Sequence, residues 1–381
     1  AIAALASVSA FAQSSVTLSG LIDTGYKVVN APAANKDTKG LAANNTATTV
    51  LTFAGTEDIG GGLAANFQLQ LTPDFLTGAG AGGTAVNQAG GTATTNNTVL
   101  TSNAQQAFVG LSNATGSLKL GRVNSAALDA WGVGSVFGTA LGSGYGSNGN
   151  IFTRYSTAAP VTAYQSAPTR FNNAIRLETA SFSGFSGSYL FVPKVNAVGG
   201  NVTSTTAASN VATNREGVSE FGLKYSNGPL NVAYANQKVS QGSEGVVDAQ
   251  GNLGVATLAA NKENKLSILS ANYTIGAAKL FGATWTEKQD TSAAVNTSGR
   301  MIGASYVMGA TTLFASMGSS NDKTTANVDK KVSGIGADYA LSKRTNAYVR
   351  YESRDVNTNL GADTSTEGLT KSTAIGVRHT F

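Results

Sequence analysis

From Val16 the chain alternates between apolar and polar side chains. Val16, Leu18, Ile22, Tyr26 and Val28 share one parity, and Thr17, Ser19, Asp23 and Lys27 the other. Successive residues of a strand point to opposite faces, so this stretch predicts a strand with one side for an apolar medium and one for water. The pattern returns at Leu63, Ala65, Phe67, Leu69 and Leu71 against Asn66, Gln68 and Gln70. It returns again at the end, where Ile375, Val377, His379 and Phe381 oppose Ala374, Gly376, Arg378 and Thr380.

Breaks in the alternation come in two sizes. Tight turns are predicted over Glu57–Gly62, Asn113–Gly116, Ser181–Gly184, Asn227–Pro229, Gly276–Ala278, Met308–Ala310 and Ser342–Thr345. Long polar loops are predicted near 30–47, 73–100, 124–169, 196–216, 241–262, 289–298, 321–329 and 357–369. Short turns at one end of the strands and long loops at the other are the asymmetry of an outer-membrane barrel. The breaks separate about sixteen strands, or about 23 residues for each strand and connection, which fits a ten-residue membrane crossing plus a loop. The expected fold is therefore an all-β transmembrane antiparallel β-barrel in the outer membrane.

Composition agrees. Charged residues are only 12%, mean hydropathy is −0.03, and there are 45 glycines against 6 prolines. Strands that offer small polar groups to water and apolar groups to lipid average to such a value without a long apolar run. Aromatic residues including Tyr26, Phe53, Phe67, Tyr234, Trp285, Tyr306, Phe314 and Tyr339 recur near strand ends, where rings favour the headgroup level and would form girdles. Residues 1–12 are alanine-rich and end in Ala10-Phe11-Ala12, the pattern of a signal-peptidase site, so a truncated signal tail at 1–12 and a single barrel domain at 13–381 are expected.

The chemistry available is narrow. Cysteine is absent and His379 is the single histidine, which excludes thiolate chemistry and almost every histidine triad or ligand set. The Glu57–Asp58 pair sits in a turn, and Gly60–Gly62 lacks the lysine and helix of a phosphate loop, so an enzyme is not expected and no cofactor is implied. Asp322 and Asp329 flank a loop and leave two readings, a divalent-ion site or plain solubilising groups. The net charge of +5 is scattered singly along strands, unlike a nucleic-acid patch.

The segment from Asn124 to about Thr169 carries seven glycines between Gly132 and Gly149, which makes it neither a good helix nor a good strand. We read it as a loop folded into the barrel lumen, setting the width and charge of a pore. Between Asp74 and Glu178 the only acid is Asp129, against Lys119, Arg122, Arg154, Arg170 and Arg176, a balance of +4 that would attract anions in a narrow lumen. Some of these arginines would instead pin the loop to the wall by pairing with acids from distant strands. Asp23, Lys27, Lys224, Asp338, Arg350, Glu352, Arg354 and Arg378 fall on the inward parity, since a charge at the lipid midplane costs roughly 2–4 kcal/mol.

Three stretches resemble the general diffusion porins of Gram-negative outer membranes, the beta-proteobacterial branch most closely: SSVTLSGLIDTGY, FAGTEDIGGGLAANFQLQL with QQAFVGLSNATGSLKLGRV, and the terminal strand ending in Phe381. The resemblance covers essentially the whole chain beyond residue 12. It implies a homotrimer of barrels with an inward third loop, a passive water-filled path for small hydrophilic solutes and anions, and Phe381 as the signal read by the barrel-assembly machinery. It also places Arg122, Asp129, Arg170 and Arg176 at pore-wall or loop positions, while the loop reads SVFGTA where enterobacterial relatives carry an acidic run. A substrate-specific channel of the same fold would need an aromatic or basic run along the path, and a secreted β-rich adhesin would need a solenoid period; neither is in the sequence.

Overall fold

The computed structural model describes residues 15–31, 37–73, 76, 100–101, 105–145, 151–152, 168–193, 211–212, 217–240, 245–247, 253–254, 263–289, 296–324, 327–357 and 368–381. Eighteen strands form one antiparallel sheet. Setting aside the short pieces Thr38–Ala43 and Leu100–Thr101 leaves sixteen, which close into a barrel. They are β1 Ser15–Asn30, β2 Val50–Gly60, β3 Leu63–Pro73, β4 Ala107–Asn113, β5 Gly116–Asn124, β6 Arg170–Thr179, β7 Phe185–Val192 and β8 Gly217–Asn227. The second half is β9 Leu230–Ser240, β10 Glu263–Ile275, β11 Ala278–Gln289, β12 Asn296–Met308, β13 Thr311–Asp322, β14 Asp329–Ala340, β15 Thr345–Asn357 and β16 Gly368–Thr380. Each strand pairs with its neighbours in sequence.

The seam joins β1 to β16, with Leu21 opposite Thr380 and Asn30 opposite Lys371. Beyond β16, Phe381 exchanges both backbone hydrogen bonds with Gly20, at 3.0 and 3.1 Å. Its ring lies over that glycine, where a Cβ would come within 2.4 Å of Phe381 Cζ. Closure leaves none of the sixteen strands at a sheet edge, which is the condition for a sheet to cross a hydrocarbon layer.

The alternation read from the sequence sorts the faces. Leu18, Ile22, Tyr26, Leu69, Ile302, Met317 and Ile375 are exposed on the outside, while Asp23, Ala233, Ala235 and Trp285 are buried on the opposite parity. The buried core therefore lies inside the barrel, between the wall and α1, Ala126–Gly134, the one helix among the described residues. A separate three-stranded piece joins Val211–Ala212, Gly245–Val247 and Leu253–Gly254.

Four expectations are corrected. The turn expected over Glu57–Gly62 is only Gly61–Gly62, because Glu57 and Asp58 continue the ladder opposite Ala65 and Ala64, and Gly60, Gly61 and Gly62, all at positive φ, make the reversal. The polar stretch 30–47 contains the strand Thr38–Ala43, which covers the part of β1, Thr24–Val29, that would otherwise be an open edge. The glycine-rich segment begins with α1. Finally, Trp285 and Phe314 leave the proposed girdles: Trp285 is 1% exposed against α1, and Phe314 tilts against Phe137 at 5.8 Å.

Candidate functional site

The segment Ser125–Tyr145 is the site's frame. Ser125 caps α1, its Oγ accepting from Leu128 N at 3.0 Å, and Ala126, Ala127, Leu128 and Ala130 are good helix formers. The helix interior includes Gly132 and Gly134, so propensity alone would not hold it; packing does. Trp131 is fully buried, edge-on to Phe152 at 4.9 Å and to Trp285 at 5.7 Å, and its Nε1 donates to Gly138 O at 2.7 Å. Small wall residues make room: a Cβ at Gly222 would lie 2.5 Å from Ala126 Cβ, and one at Gly134 would lie 2.7 Å from Gly282 O. Both glycines are there because helix and wall meet at backbone distance.

Two wall carboxylates, far apart along the chain, grip this segment at its two ends. Glu220 on β8 accepts from Ala126 N at 2.6 Å and Ala127 N at 2.9 Å, so its charge sits on the N-terminus of α1. Glu352 on β15 accepts from Gly142 N at 2.8 Å and Gly144 N at 3.0 Å, and Ser316 Oγ donates to Gly142 O at 2.8 Å. A third contact comes from Asn44–Thr49, the insert between Thr38–Ala43 and β2: Leu141 N donates to Asn45 O at 3.1 Å. The insert is itself held by Asp23, which accepts from Thr46 Oγ1 at 2.7 Å, Ala47 N at 2.8 Å and Tyr348 Oη at 2.6 Å.

At the base of α1 lies an ion network. Asp129 meets Arg176 at 2.6 Å and Lys224 at 3.1 Å, while Arg176 also meets Glu178 at 2.9 Å and donates to Asn124 O. Lys119 pairs with Glu178. Burial pushes the Asp129 carboxyl up, but the charges and hydrogen bonds of Arg176 and Lys224 outweigh it and hold it below the usual carboxylate range.

The other singled-out residues fall as follows. Asp23, Lys27, Arg350, Arg354 and Arg378 stand on the inward parity of β1, β15 and β16. Arg350 meets Asp338 at 2.6 Å and lies over the Phe314 ring at 4.8 Å; Arg378 meets the same carboxylate at 3.4 Å, and Arg354 meets Glu352 at 3.2 Å. Arg170 opens β6, opposite Asn124. Arg122 stands at the irregularity between Gly121, at φ 142°, and Val123; it is opposite Ala107, on the parity of the exposed Val109, and donates to Gln105 O at 2.9 Å and Asn172 Oδ1 at 2.6 Å. Plain alternation along β5, unbroken against β4, thus puts it on the side of Leu120 and away from the side that Lys119 occupies. Arg154 and residues 1–12 lie outside the described residues. Phe381 ends the seam already given.

The balance of +4 accordingly does not stand as a free lumen charge, since Lys119 and Arg176 are neutralised in place and Arg122 turns outward. Asp322 accepts from Thr324 N, Thr324 Oγ1 and Val328 N at 3.0, 2.9 and 3.1 Å, and Asp329 from Asp322 N at 2.9 Å; these carboxylates shape their own loop. Among the described residues no group of three metal-ligating side chains occurs. Sequence reasoning passed over Glu220, although an acid on the inward parity of an otherwise uncharged stretch, VSEFG, is a signal of a buried grip.

Comparison with known proteins adds the following. The sequence profile of the Gram-negative porin family matches residues 1–359. Outer membrane porin protein 32 of Delftia acidovorans is 29% identical over 316 residues, 78% of this chain and 72% of its own. An outer membrane porin protein of Bordetella pertussis is 29% identical over 258 residues, 62% of this chain and 58% of its own. Among solved structures, an anion-selective porin from Comamonas acidovorans matches with a TM-score of 0.71 at 23% identity, over 97% of this chain and 100% of that one. The trimer form of OmpT from Vibrio cholerae matches with a TM-score of 0.62 at 14% identity, over 97% and 99%.

Proposed function

The chain belongs to the Gram-negative porin family, an integral outer-membrane diffusion channel, and from that premise we propose that Ser125–Tyr145 sets the narrow section of its path and that the path favours anions. The observation that carries the reading is the unequal depth of the two signs of charge. The inward acids are spent on holding structure: Asp23, Glu220, Asp338 and Glu352 are 0%, 1%, 7% and 4% exposed. Arg176 and Arg350 are buried as deeply, but two cations reach into water, with side-chain exposure of 41% at Lys224 and 26% at Arg378. A permeating ion meets Lys224 and Arg378 before the buried acids, and in a narrow path walled by low-dielectric material the nearest charges dominate. The Comamonas structure carries the same preference in its description, at an identity that speaks only for the fold.

The test is the reversal potential across a planar bilayer under a KCl gradient. Wild-type protein is expected on the anion side, with the preference fading as the Debye length falls from about 10 Å at 0.1 M to about 3 Å at 1 M salt. Lys27→Gln combined with Arg378→Gln moves it toward cations, whereas Arg122→Gln leaves it in place because that side chain turns away from the lumen. A wild-type potential on the cation side would overturn the anion assignment while leaving the channel itself intact.

A further inference from the structure

Between the strand Thr38–Ala43 and β2 the ladder along β1 is interrupted. Thr24 pairs with Ala43 and Leu21 with Val50, so the six residues 44–49 stand against only Ile22 and Asp23. Asp23 is fully buried on the inward parity, beside the exposed, outward Ile22, and the excess residues hang from its carboxylate. The insert therefore leaves the wall on the lumen side, where Leu141 of the loop tip donates to Asn45 O.

The insert has a shape of its own. Asn44, at φ 64°, turns the chain out of the ladder, a conformation its short polar side chain tolerates, and its Oδ1 accepts from Thr49 N at 2.6 Å across the neck. Asn44 N donates to Asp23 O at 3.1 Å and Thr49 Oγ1 accepts from Asp23 N at 3.1 Å, so both ends stay on β1. One oxygen of Asp23 accepts from Thr46 N, Thr46 Oγ1 and Ala47 N, and the other from Tyr348 Oη. Asn45 Nδ2 donates to Ala42 O at 2.8 Å and to Tyr348 Oη at 3.1 Å.

The wall is cut to let Tyr348 reach that far. Tyr348, Gly376 and Gly25 share one row across β15, β16 and β1, and a Cβ at Gly376 or Gly25 would come within 2.4 or 2.7 Å of Tyr348 Oη. Arg378 stands opposite Asp23 in the ladder, yet its contact is with Asp338, because neutral donors already fill the Asp23 carboxylate. A buried carboxylate held in this way loses its stabilisation when the donors leave, so Asp23 and the insert fix each other. Thr46, Ala47 and Thr48 are half-buried, and Thr48 has no hydrogen-bond partner among the described residues. What the insert exposes, it exposes to the path.

We propose that residues 44–49 form a second jaw of the narrow section, fixed to the wall by Asp23 and Tyr348, and that they set the size limit for uncharged solutes. The insert adds to the reading that Ser125–Tyr145 sets that section and rests on it for the opposing side. Pore diameter is what sorts neutral solutes, so the jaw acts by position and not by charge.

The test uses neutral sugars, which read width apart from charge. Full-length protein in liposomes is offered arabinose and raffinose, and the ratio of the two swelling rates is compared. Deleting residues 45–48 lets Asn44 and Thr49 take the two places opposite Asp23 and Ile22 in an unbroken ladder. Asp23→Asn in the same chain removes the carboxylate left without donors, and this variant is expected to raise the raffinose-to-arabinose ratio severalfold. Glu352→Ala frees the loop tip and leaves the latch on 44–49 in place, so it tests the loop separately. A raised ratio in the deletion with a wild-type ratio in Glu352→Ala removes the loop from the narrow section and keeps the insert. A wild-type ratio in an assembled deletion variant overturns the insert, whatever Glu352→Ala does.

A second measurement needs no deletion. The chain has no cysteine, so Thr48→Cys supplies a single thiol on the insert. A bulky methanethiosulfonate reagent is expected to cut the current of each open channel severalfold within one recording, whereas Ala277→Cys, at a short turn, shows no loss. A thiol at 48 that the reagent does not reach, a current unchanged after labelling, or an equal loss at Ala277→Cys would each overturn the proposal.

Discussion

Glu352 and Asp129 do different work although both are acids facing the lumen. Glu352 satisfies two backbone N–H groups of a loop tip, so Glu352→Ala leaves both donors without their acceptor, a loss of roughly 1–3 kcal/mol for each buried unsatisfied group. Single-channel recordings of that variant are expected to show higher conductance and more open-channel noise, and recordings like wild type would remove Glu352 from the anchoring role. Asp129 holds the base of α1 by ionic contact. Because its folded-state carboxyl is held below the ordinary value, its contribution is full above the usual carboxylate range and is lost as pH falls through the lower folded value. Wild-type channels should therefore stay quiet on acidification until below about pH 4, whereas Asp129→Asn is noisy at every pH. A variant with the wild-type pH profile would show that the network is dispensable.

At the scale of the element, α1 is a helix made by its neighbours. Its seat is cut by Gly222 on the wall and by Gly134 on the helix, where added methyl groups would meet atoms of the opposing element within 2.5–2.7 Å. Gly134→Ala is expected to lift the last turn off β10 and β11 at an overpacking cost of about 1–3 kcal/mol, read as about tenfold faster hydrogen exchange over 126–134 with the strands unchanged. Exchange at the wild-type rate would mean that the helix is not seated at backbone distance.

At the scale of the whole molecule, closure rests on a seam whose last pair is Gly20 with Phe381. Deleting Phe381 removes two backbone hydrogen bonds and the ring that covers Gly20, so the yield of assembled barrel should fall while export continues. A normal yield would sink that expectation. The exposed apolar belt suits either lipid or other copies of the chain, and we expect trimers that migrate as such in SDS until heated. Identical migration with and without boiling would count against a trimer.

Strand parity, the tight turns and the number of crossings were legible in the residues, because a sheet between lipid and water forces a period of two and turns need Gly, Asn or Pro at fixed places. Hence Asp23, Lys27, Arg350 and Arg378 could be put on the inward side from sequence alone. What only the tertiary structure decided depends on partners remote in sequence. The run AALDAWGVG is a marginal helix until Glu220, 94 residues from Ala126, meets its N-terminus and the wall receives Trp131. Trp285 reads as a girdle residue until α1 covers it. Arg176 reads as a free pore cation until Asp129 and Glu178 close on it, and Arg122 reads as its neighbour in the lumen until the ladder with β4 sets it opposite Ala107 on the outward face. Periodicity is a local property, while charge pairing and burial inside a closed barrel are set by which strands come to stand across the lumen from one another.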